Sequence, residues 1–207
     1  MNRLLSVGVV ALTASLSTSI AHATILTFDG VPSHLLQAYG DNVVAEVDPI
    51  TGYRYGRGNG FTPNVTVEYV SANGGLEIYS SGYAPLFNAL GDTQYDVAGS
   101  VILTAEPGYL VRLNSFRVAP WTNGQGTSLE VVVGNTQLIS TNLPPVRGQA
   151  ELFVLGDLAI AGSVRIGMSR FGDWAIDDID FDQVLIPSPA GIAPLALASV
   201  ALFRRRR

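Results

Sequence analysis

The chain has 207 residues, of which 12 are basic, 17 are acidic and none is cysteine. The absence of cysteine excludes disulfide bonds, thiolate nucleophiles and cysteine-ligated zinc or iron–sulfur sites. When the two ends described below are left out, the chain keeps seven arginines and all 17 acidic residues. A formal charge of about −10 argues against nucleic acid or anionic lipid as a partner.

The first 23 residues have the pattern of a secretory signal peptide. Arg3 gives a short basic start, residues 4–20 are apolar or small, and Ala21-His22-Ala23 supplies the small-x-small pattern that signal peptidase recognises. The run is short for a membrane span and is broken by hydroxyl residues, among them Thr13, Ser15, Ser17 and Thr18. We therefore predict cleavage after Ala23 and export of the rest of the chain.

Residues 24–185 predict a single all-β domain. Alternating apolar and polar residues, rich in β-branched and aromatic types, form about ten short runs, as expected for β-strands. The clearest runs are 24–28, 64–70, 76–79, 100–105, 110–119, 128–133, 136–140, 149–154, 163–169 and 176–184. Turn sequences separate consecutive runs, and residues 40–60 predict a long ordered loop. These 162 residues predict one β-sandwich, and in particular a jelly roll.

The C-terminal end predicts a short apolar helix followed by a basic cluster. Residues 190–203 carry no charge, and Arg204, Arg205, Arg206 and Arg207 end the chain. As a helix this stretch would span about 21 Å, less than the ~30 Å of a hydrocarbon core. Both basic ends would stay on the cytoplasmic side, so the middle of the chain would lie outside. We expect a transient association with the inner membrane.

A proline motif, a short apolar segment and a terminal arginine cluster together resemble the PEP-CTERM sorting signal, which exosortases recognise. The motif here is Pro187-Ser188-Pro189, with Ser188 where Glu is the commonest residue, and the resemblance covers residues 186–207. It implies processing by exosortase after export across a Gram-negative inner membrane. It also implies a final place at the cell surface, outer envelope or extracellular matrix, and a link to exopolysaccharide.

A second resemblance lies within the body of the chain. Residues 39–43, 60–65 and 176–181 are similar to ectodomains that precede PEP-CTERM tails. The last segment resembles the strand that closes galactose-binding-like jelly rolls, with Asp178 in place of the common Asn. The resemblance implies a structural Ca²⁺ where the first and last strands meet. Its ligands would be Asp29, Asp177 and Asp178, with Asp41 from the loop.

Five aspartates crowd residues 173–182. In an extended strand Asp178, Asp180 and Asp182 share one face, while Ile179 and Phe181 point into the core. Three interpretations remain open for these carboxylates. They form a solvated acidic face, they pair with Arg165 and Arg170, or they bind Ca²⁺, which prefers oxygen ligands.

Four aromatic residues stand in loops rich in Gly and Asn: Tyr53, Tyr55, Tyr83 and Trp121. Such rings either stack on sugars or anchor long loops to the core. Histidine catalysis is disfavoured, because His34 is the only histidine left after cleavage and no Gly-x-Ser-x-Gly motif occurs. The sequence therefore favours a non-enzymatic surface or matrix protein that binds glycan or calcium. An enzyme acting on extracellular polysaccharide and a purely structural envelope component are the alternatives.

Overall fold

The computed structural model describes residues 23–31, 33, 37–44, 52, 54–55 and 60–187. The predicted signal peptide before residue 23 lies outside the described residues. So do the predicted sorting tail after residue 187, including its predicted apolar helix, and the candidate residues His34 and Tyr53. Of the two predicted processing signals, only Ala23, Ile186 and Pro187 are therefore described. Within the described part of the chain, no helix is long and apolar enough to cross a membrane.

The described residues form twelve antiparallel β-strands and one 3-10 turn. The strands are β1 Thr24–Leu26, β2 Val65–Ser71, β3 Leu76–Tyr79, β4 Ala89–Asp92, β5 Gly99–Ala105, β6 Tyr109–Pro120, β7 Thr127–Val133, β8 Thr136–Leu143, β9 Glu151–Val154, β10 Ile160–Ala161, β11 Ser163–Met168 and β12 Trp174–Leu185. The 3-10 turn is Gly156–Leu158, between β9 and β10. The predicted all-β class is confirmed.

The strands build two sheets. The order in the seven-stranded sheet is β3–β4–β12–β6–β10, with β1 also pairing with β12 and β9 also pairing with β6. The order in the five-stranded sheet is β2–β5–β11–β7–β8. The chain crosses repeatedly between the sheets, and their inner faces share one hydrophobic core. The predicted β-sandwich is confirmed.

Period-2 alternation decides which side chains enter the core. In β2, Val65, Val67 and Tyr69 are buried, whereas Thr66 and Glu68 are exposed. Because successive side chains of a strand point to opposite faces, this pattern fixes the register of the sheet against the core. A slip of one residue would bury Glu68 and expose the aromatic ring.

The alternation breaks at a bulge in β12. The register against β6 shifts between Asp177 and Asp180, and Asp178 has a φ of +49°. The extra residue lets Ile176 and Ile179 both reach the core although they are three positions apart. The prediction that Ile179 points inward is confirmed. The bulge turns Asp177, however, into the protein, where simple alternation would not have placed it.

Residues 37–42 cover the free edge of β2. The Asp41 carboxylate accepts a hydrogen bond from the Val67 backbone N–H at 2.6 Å, and the Gln37 side chain accepts one from Tyr69 N–H at 3.3 Å. An uncovered strand edge would invite pairing with other chains. The start of the predicted loop therefore has a structural role, because it covers the edge strand β2 of the five-stranded sheet.

Candidate functional site

Asp177 is a buried carboxyl group among other acids. Asp177 is only 6 % exposed, and this burial is the main reason that the pKa of its carboxyl group rises to about 8. The neighbouring charge of Asp178 raises the pKa further and that of Asp29 adds to it, while a 2.7 Å hydrogen bond from Asp178 N–H lowers it. Asp177 is therefore mostly protonated at neutral pH.

Three of the four predicted calcium ligands lie near one another, namely Asp29, Asp177 and Asp178. The charges of Asp29 and Asp178 both raise the pKa of Asp177. Asp41, the fourth, is engaged instead with the edge of β2. Over the described ranges, no group of three His, Cys, Asp or Glu side chains is arranged to hold a metal ion. The residues as they stand do not form a ready calcium site, and calcium binding stays a prediction.

Arginine pairing accounts for part of the acidic strand, but mostly through other arginines than the sequence indicated. Arg112 contacts Asp182 at 2.6 Å, and Arg117 contacts Asp178 at 3.5 Å. Of the two arginines that the sequence offered as partners, Arg165 pairs with Glu130 instead, whereas Arg170 does contact Asp173, at 3.6 Å. Both Arg112 and Arg117 lie on β6, which pairs with β12 along most of its length. Sequence proximity could not reveal that pairing.

Two of the aromatic residues predicted to stack on sugars are buried. Tyr55 stacks on Tyr39 with ring centroids 5.4 Å apart, and its hydroxyl accepts a hydrogen bond from Gly40 N–H. Tyr83 is likewise buried, and its hydroxyl donates to the Gly172 carbonyl at 2.7 Å. Neither ring offers an open face to a ligand, and both fit the alternative of loop anchoring. Trp121 is half-buried and retains exposed surface.

Trp121 and Tyr83 take part in a larger aromatic group that we call the aromatic cleft. Its seven lining residues are Tyr79, Tyr83, Asp92, Thr93, Tyr95, Trp121 and Gly172. Ring centroids lie 5.0 Å apart between Tyr83 and Trp121 and 6.0 Å apart between Tyr79 and Trp121, in edge-to-face arrangements. Such contacts hold the rings in place. Tyr95 is 61 % exposed and is free of that packing.

The Trp121 ring rests directly on the backbone of the β3–β4 loop. Gly82 has a φ of +102°, and a Cβ atom at this position would lie 1.9 Å from the ring. Glycine is therefore required twice over, for its backbone conformation and for the contact. The backbone N–H of Trp121 donates to the Asp173 carbonyl at 2.8 Å. This hydrogen bond ties the Trp121 backbone to the residue just before β12.

Polar groups complete the cleft. Asp92 is buried, with its carboxylate bound by Ser71 Oγ and, at 2.9 Å, by Gln94 N–H. The Tyr79 hydroxyl donates to the Asp92 carbonyl at 3.1 Å, and burial raises the pKa of Tyr79 to about 12. The enclosed space is only about 30 Å³, room for about one water molecule. A ligand would lie across the rings rather than enter the protein.

Five of the seven residues that line the cleft are not among the sequence candidates, namely Tyr79, Asp92, Thr93, Tyr95 and Gly172. Tyr79 falls in a predicted strand, and as the last residue of β3 it is only partly buried. Asp92 is the last residue of the short strand β4 and Tyr95 follows it; the sequence did not predict this strand, because all four of its residues are buried. The signal that marked the other rings, an aromatic among Gly, Asp and Asn, is present at Tyr95 as well.

No protein family and no curated protein matches the chain. Two of the solved structures that are similar to part of it are a carbohydrate-binding module and a phage tailspike domain. One is the carbohydrate-binding module TmCBM61 in complex with β-1,4-galactotriose, at 17 % identity over 58 % of this chain and 88 % of that one, with a TM-score of 0.32. The other is the enzymatically active domain of tailspike protein 4 of bacteriophage CBA120, at 17 % identity over 59 % of this chain and 19 % of that one, with a TM-score of 0.29. Similarities this distant assign no ligand and no activity to this chain.

Proposed function

We propose that the chain is an exported, non-enzymatic surface or matrix protein whose β-sandwich binds a glycan at the aromatic cleft. The observation that carries the proposal is the convergence of Tyr79, Tyr95 and Trp121 beside polar groups on one small surface. Aromatic rings with a polar rim suit the apolar ring face and the outward hydroxyls of a sugar. The acidic body favours a neutral glycan over an anionic one, because like charges would repel.

A polysaccharide hydrolase is the alternative that deserves comparison. It would need two carboxyl groups about 5 to 9.5 Å apart and open to a cleft. Asp180 and Asp182 come close to this arrangement, since the Asn114 side-chain N–H groups donate to both, at 3.0 and 3.1 Å. Asp182, however, is only 5 % exposed and is bound by Arg112. A carboxylate so enclosed is poorly placed to meet a substrate, which favours binding over hydrolysis.

Delivery to the surface is the second part of the proposal. It rests on the sequence of the two ends, which is that of a signal peptide and of a PEP-CTERM-like tail. Removal of Arg204–Arg207 is expected to leave the tail unprocessed, because the cluster stops translocation and marks the substrate. The size and location of the deleted protein in an exosortase-bearing host test this. Processing and location like those of the intact protein would contradict the sorting role.

The glycan proposal is tested by replacing Tyr95 with Ala. Tyr95 is exposed and is not among the described residues that form or pack against the two hydrophobic clusters, so the melting temperature should not change. Loss of one stacking ring should weaken glycan binding about 2- to 10-fold. Phe87→Ala is the matched control, since Phe87 is equally exposed, lies in the β3–β4 loop and does not line the cleft. Equal effects of the two substitutions in calorimetric titrations would contradict the assignment.

A further inference from the structure

A trough crosses the outer face of the five-stranded sheet, away from the aromatic cleft. The strand register places Val70, Ser100, Gly167 and Glu130 side by side across β2, β5, β11 and β7. The next row along the strands is also made of small residues, namely Ala72, Ala98, Ser169 and Ser128. Between them these two rows leave a depression of about 460 Å³.

The trough carries no net charge in an otherwise acidic protein. Arg165 Nη1 lies 2.6 Å from Glu130 Oε1, and this pair spans the position where Gly167 has no side chain. A Cβ atom on Gly167 would be 2.8 Å from Arg165 Nη1 and 3.0 Å from Glu130 Oε1. Because the two opposite charges meet, neither is left to attract an ionic ligand.

Ser100 presents its hydroxyl group to this trough. Its neighbour Val101 points into the core, so Ser100 faces outward and lines the trough floor. The residue is only 8 % exposed, but among the described residues its Oγ is not one of the buried polar atoms left without a partner, so the hydroxyl keeps access to the open side. A molecule in the trough can therefore reach it.

The trough continues at both ends. Past Val70 it meets a depression beside Gln37, Glu68 and Gly74, at the edge of the sheet, where the Glu68 carboxylate disfavours an anionic chain. Past Ser128 and Ser169 it meets another depression, beside Asn142. The whole path crosses five strands, a distance of about 19 Å at the usual strand spacing. Its length suits an extended chain rather than a single sugar.

We propose that this trough binds a stretch of a linear, neutral polysaccharide as a second site, independent of the aromatic cleft. Hydroxyl and small side chains on a floor without net charge match a neutral polyol chain. A peptide strand is disfavoured, because the backbone N–H and C=O groups of the floor already pair between strands. The site goes beyond the glycan binding proposed above. The trough binds several consecutive sugar units, whereas the aromatic cleft binds one.

The test measures binding of neutral linear oligosaccharides by calorimetry. The probes are β-1,4-galactan, β-1,4-glucan, β-1,3-glucan and α-1,4-glucan oligosaccharides, each as a disaccharide and a hexasaccharide. In the Tyr95→Ala protein, which keeps the trough intact, at least one hexasaccharide should bind at least tenfold more tightly than its disaccharide. Adding Ser100→Leu fills the floor and should weaken that binding at least tenfold. Thr104→Leu, on the same strand and outer face but beyond the trough, should leave it unchanged.

Several outcomes overturn the trough without touching the cleft. These are no binding of any neutral hexasaccharide to the Tyr95→Ala protein, no preference for hexasaccharide over disaccharide, or equal binding by the Ser100→Leu and Thr104→Leu proteins. Should Ser100→Leu lower the melting temperature, Ser100→Ala replaces it, with a loss of about 2- to 10-fold expected from one hydrogen bond. Sedimentation that shows a dimer dissociated by Ser100→Leu would assign the trough to a second copy of the chain, and so contradict the proposal.

Discussion

Replacement of Asp177 by Asn should remove a large part of the pH dependence of stability. In the folded protein, burial and then the charge of Asp178 raise the pKa of Asp177 from 3.8 to about 8. The unfolded chain releases this proton near pH 3.8, whereas the folded protein keeps it. The stability that the proton contributes is therefore complete below pH 3.8 and is lost as the pH rises through 8.

The magnitude follows from the difference in bound protons. One proton held only by the folded state gives a slope of about −1.4 kcal/mol per pH unit between pH 5 and 7. With a urea m-value of about 2 kcal/mol/M, the midpoint should fall by about 0.7 M per pH unit. Asn cannot ionise, so it removes this slope. It keeps the carbonyl oxygen that accepts the Asp178 N–H hydrogen bond.

The assay is urea unfolding of the wild type and of Asp177→Asn at half-unit steps from pH 5 to 7. Asp157→Asn is the control, because the Asp157 side chain is 86 % exposed and its pairing with Arg112 is solvated. It should show the wild-type slope. A wild-type slope in Asp177→Asn would refute the argument that this carboxyl is protonated in the fold.

The same variants test the calcium prediction. Calcium bound by Asp29, Asp177 and Asp178 would displace the proton and would stabilise the protein by about 2.7 kcal/mol at a hundredfold excess over the dissociation constant. Millimolar Ca²⁺ at pH 8 should then raise the melting temperature of the wild type and leave that of Asp177→Asn unchanged. An unchanged wild-type melting temperature, compared with chelator, rules out calcium at these residues.

Two further predictions concern residues that support the architecture. Gly82→Ala should destabilise the protein by about 1–3 kcal/mol in urea unfolding, because the new Cβ meets the Trp121 ring and the φ is positive. Gly74→Ala separates the two causes, since Gly74 has a φ of +71° but nothing within 4 Å; an equal loss there would exclude the clash. Arg112→Met should cost about 3 kcal/mol, because it leaves Asp182 buried without its cation. A loss below about 0.5 kcal/mol, as for an ordinary surface substitution, would show that Asp182 needs no partner.

The strand pattern predicted the fold because, in a β-sandwich, the alternation of residues within each strand determines which side chains enter the core. Alternation along β2 gives both the strand and its buried face. The short strand β4 was missed for the opposite reason, since all four of its residues are buried and no alternation appears. In β12 the inward side of Ile179 was predictable, but the bulge that buries Asp177 was not.

The candidate site was less predictable, because it depends on which distant segments meet. The arginines that pair with β12 come from β6, far away in sequence. Trp121 was recognised from its loop context, whereas Tyr83 in a similar context is buried beneath it. Local composition finds aromatic residues in loops, but only the packing of the loops decides which ring keeps an open face.

Tryptophan fluorescence provides the most direct test of glycan binding at the aromatic cleft. The chain has two tryptophans, Trp121 at the cleft and Trp174 buried in the core with its indole N–H bound to the Gln125 carbonyl. Titration with the neutral oligosaccharides should produce a saturable change in emission that Trp121→Phe abolishes. No change with any of these glycans, or a change of the same size in Trp121→Phe, would contradict binding at the cleft.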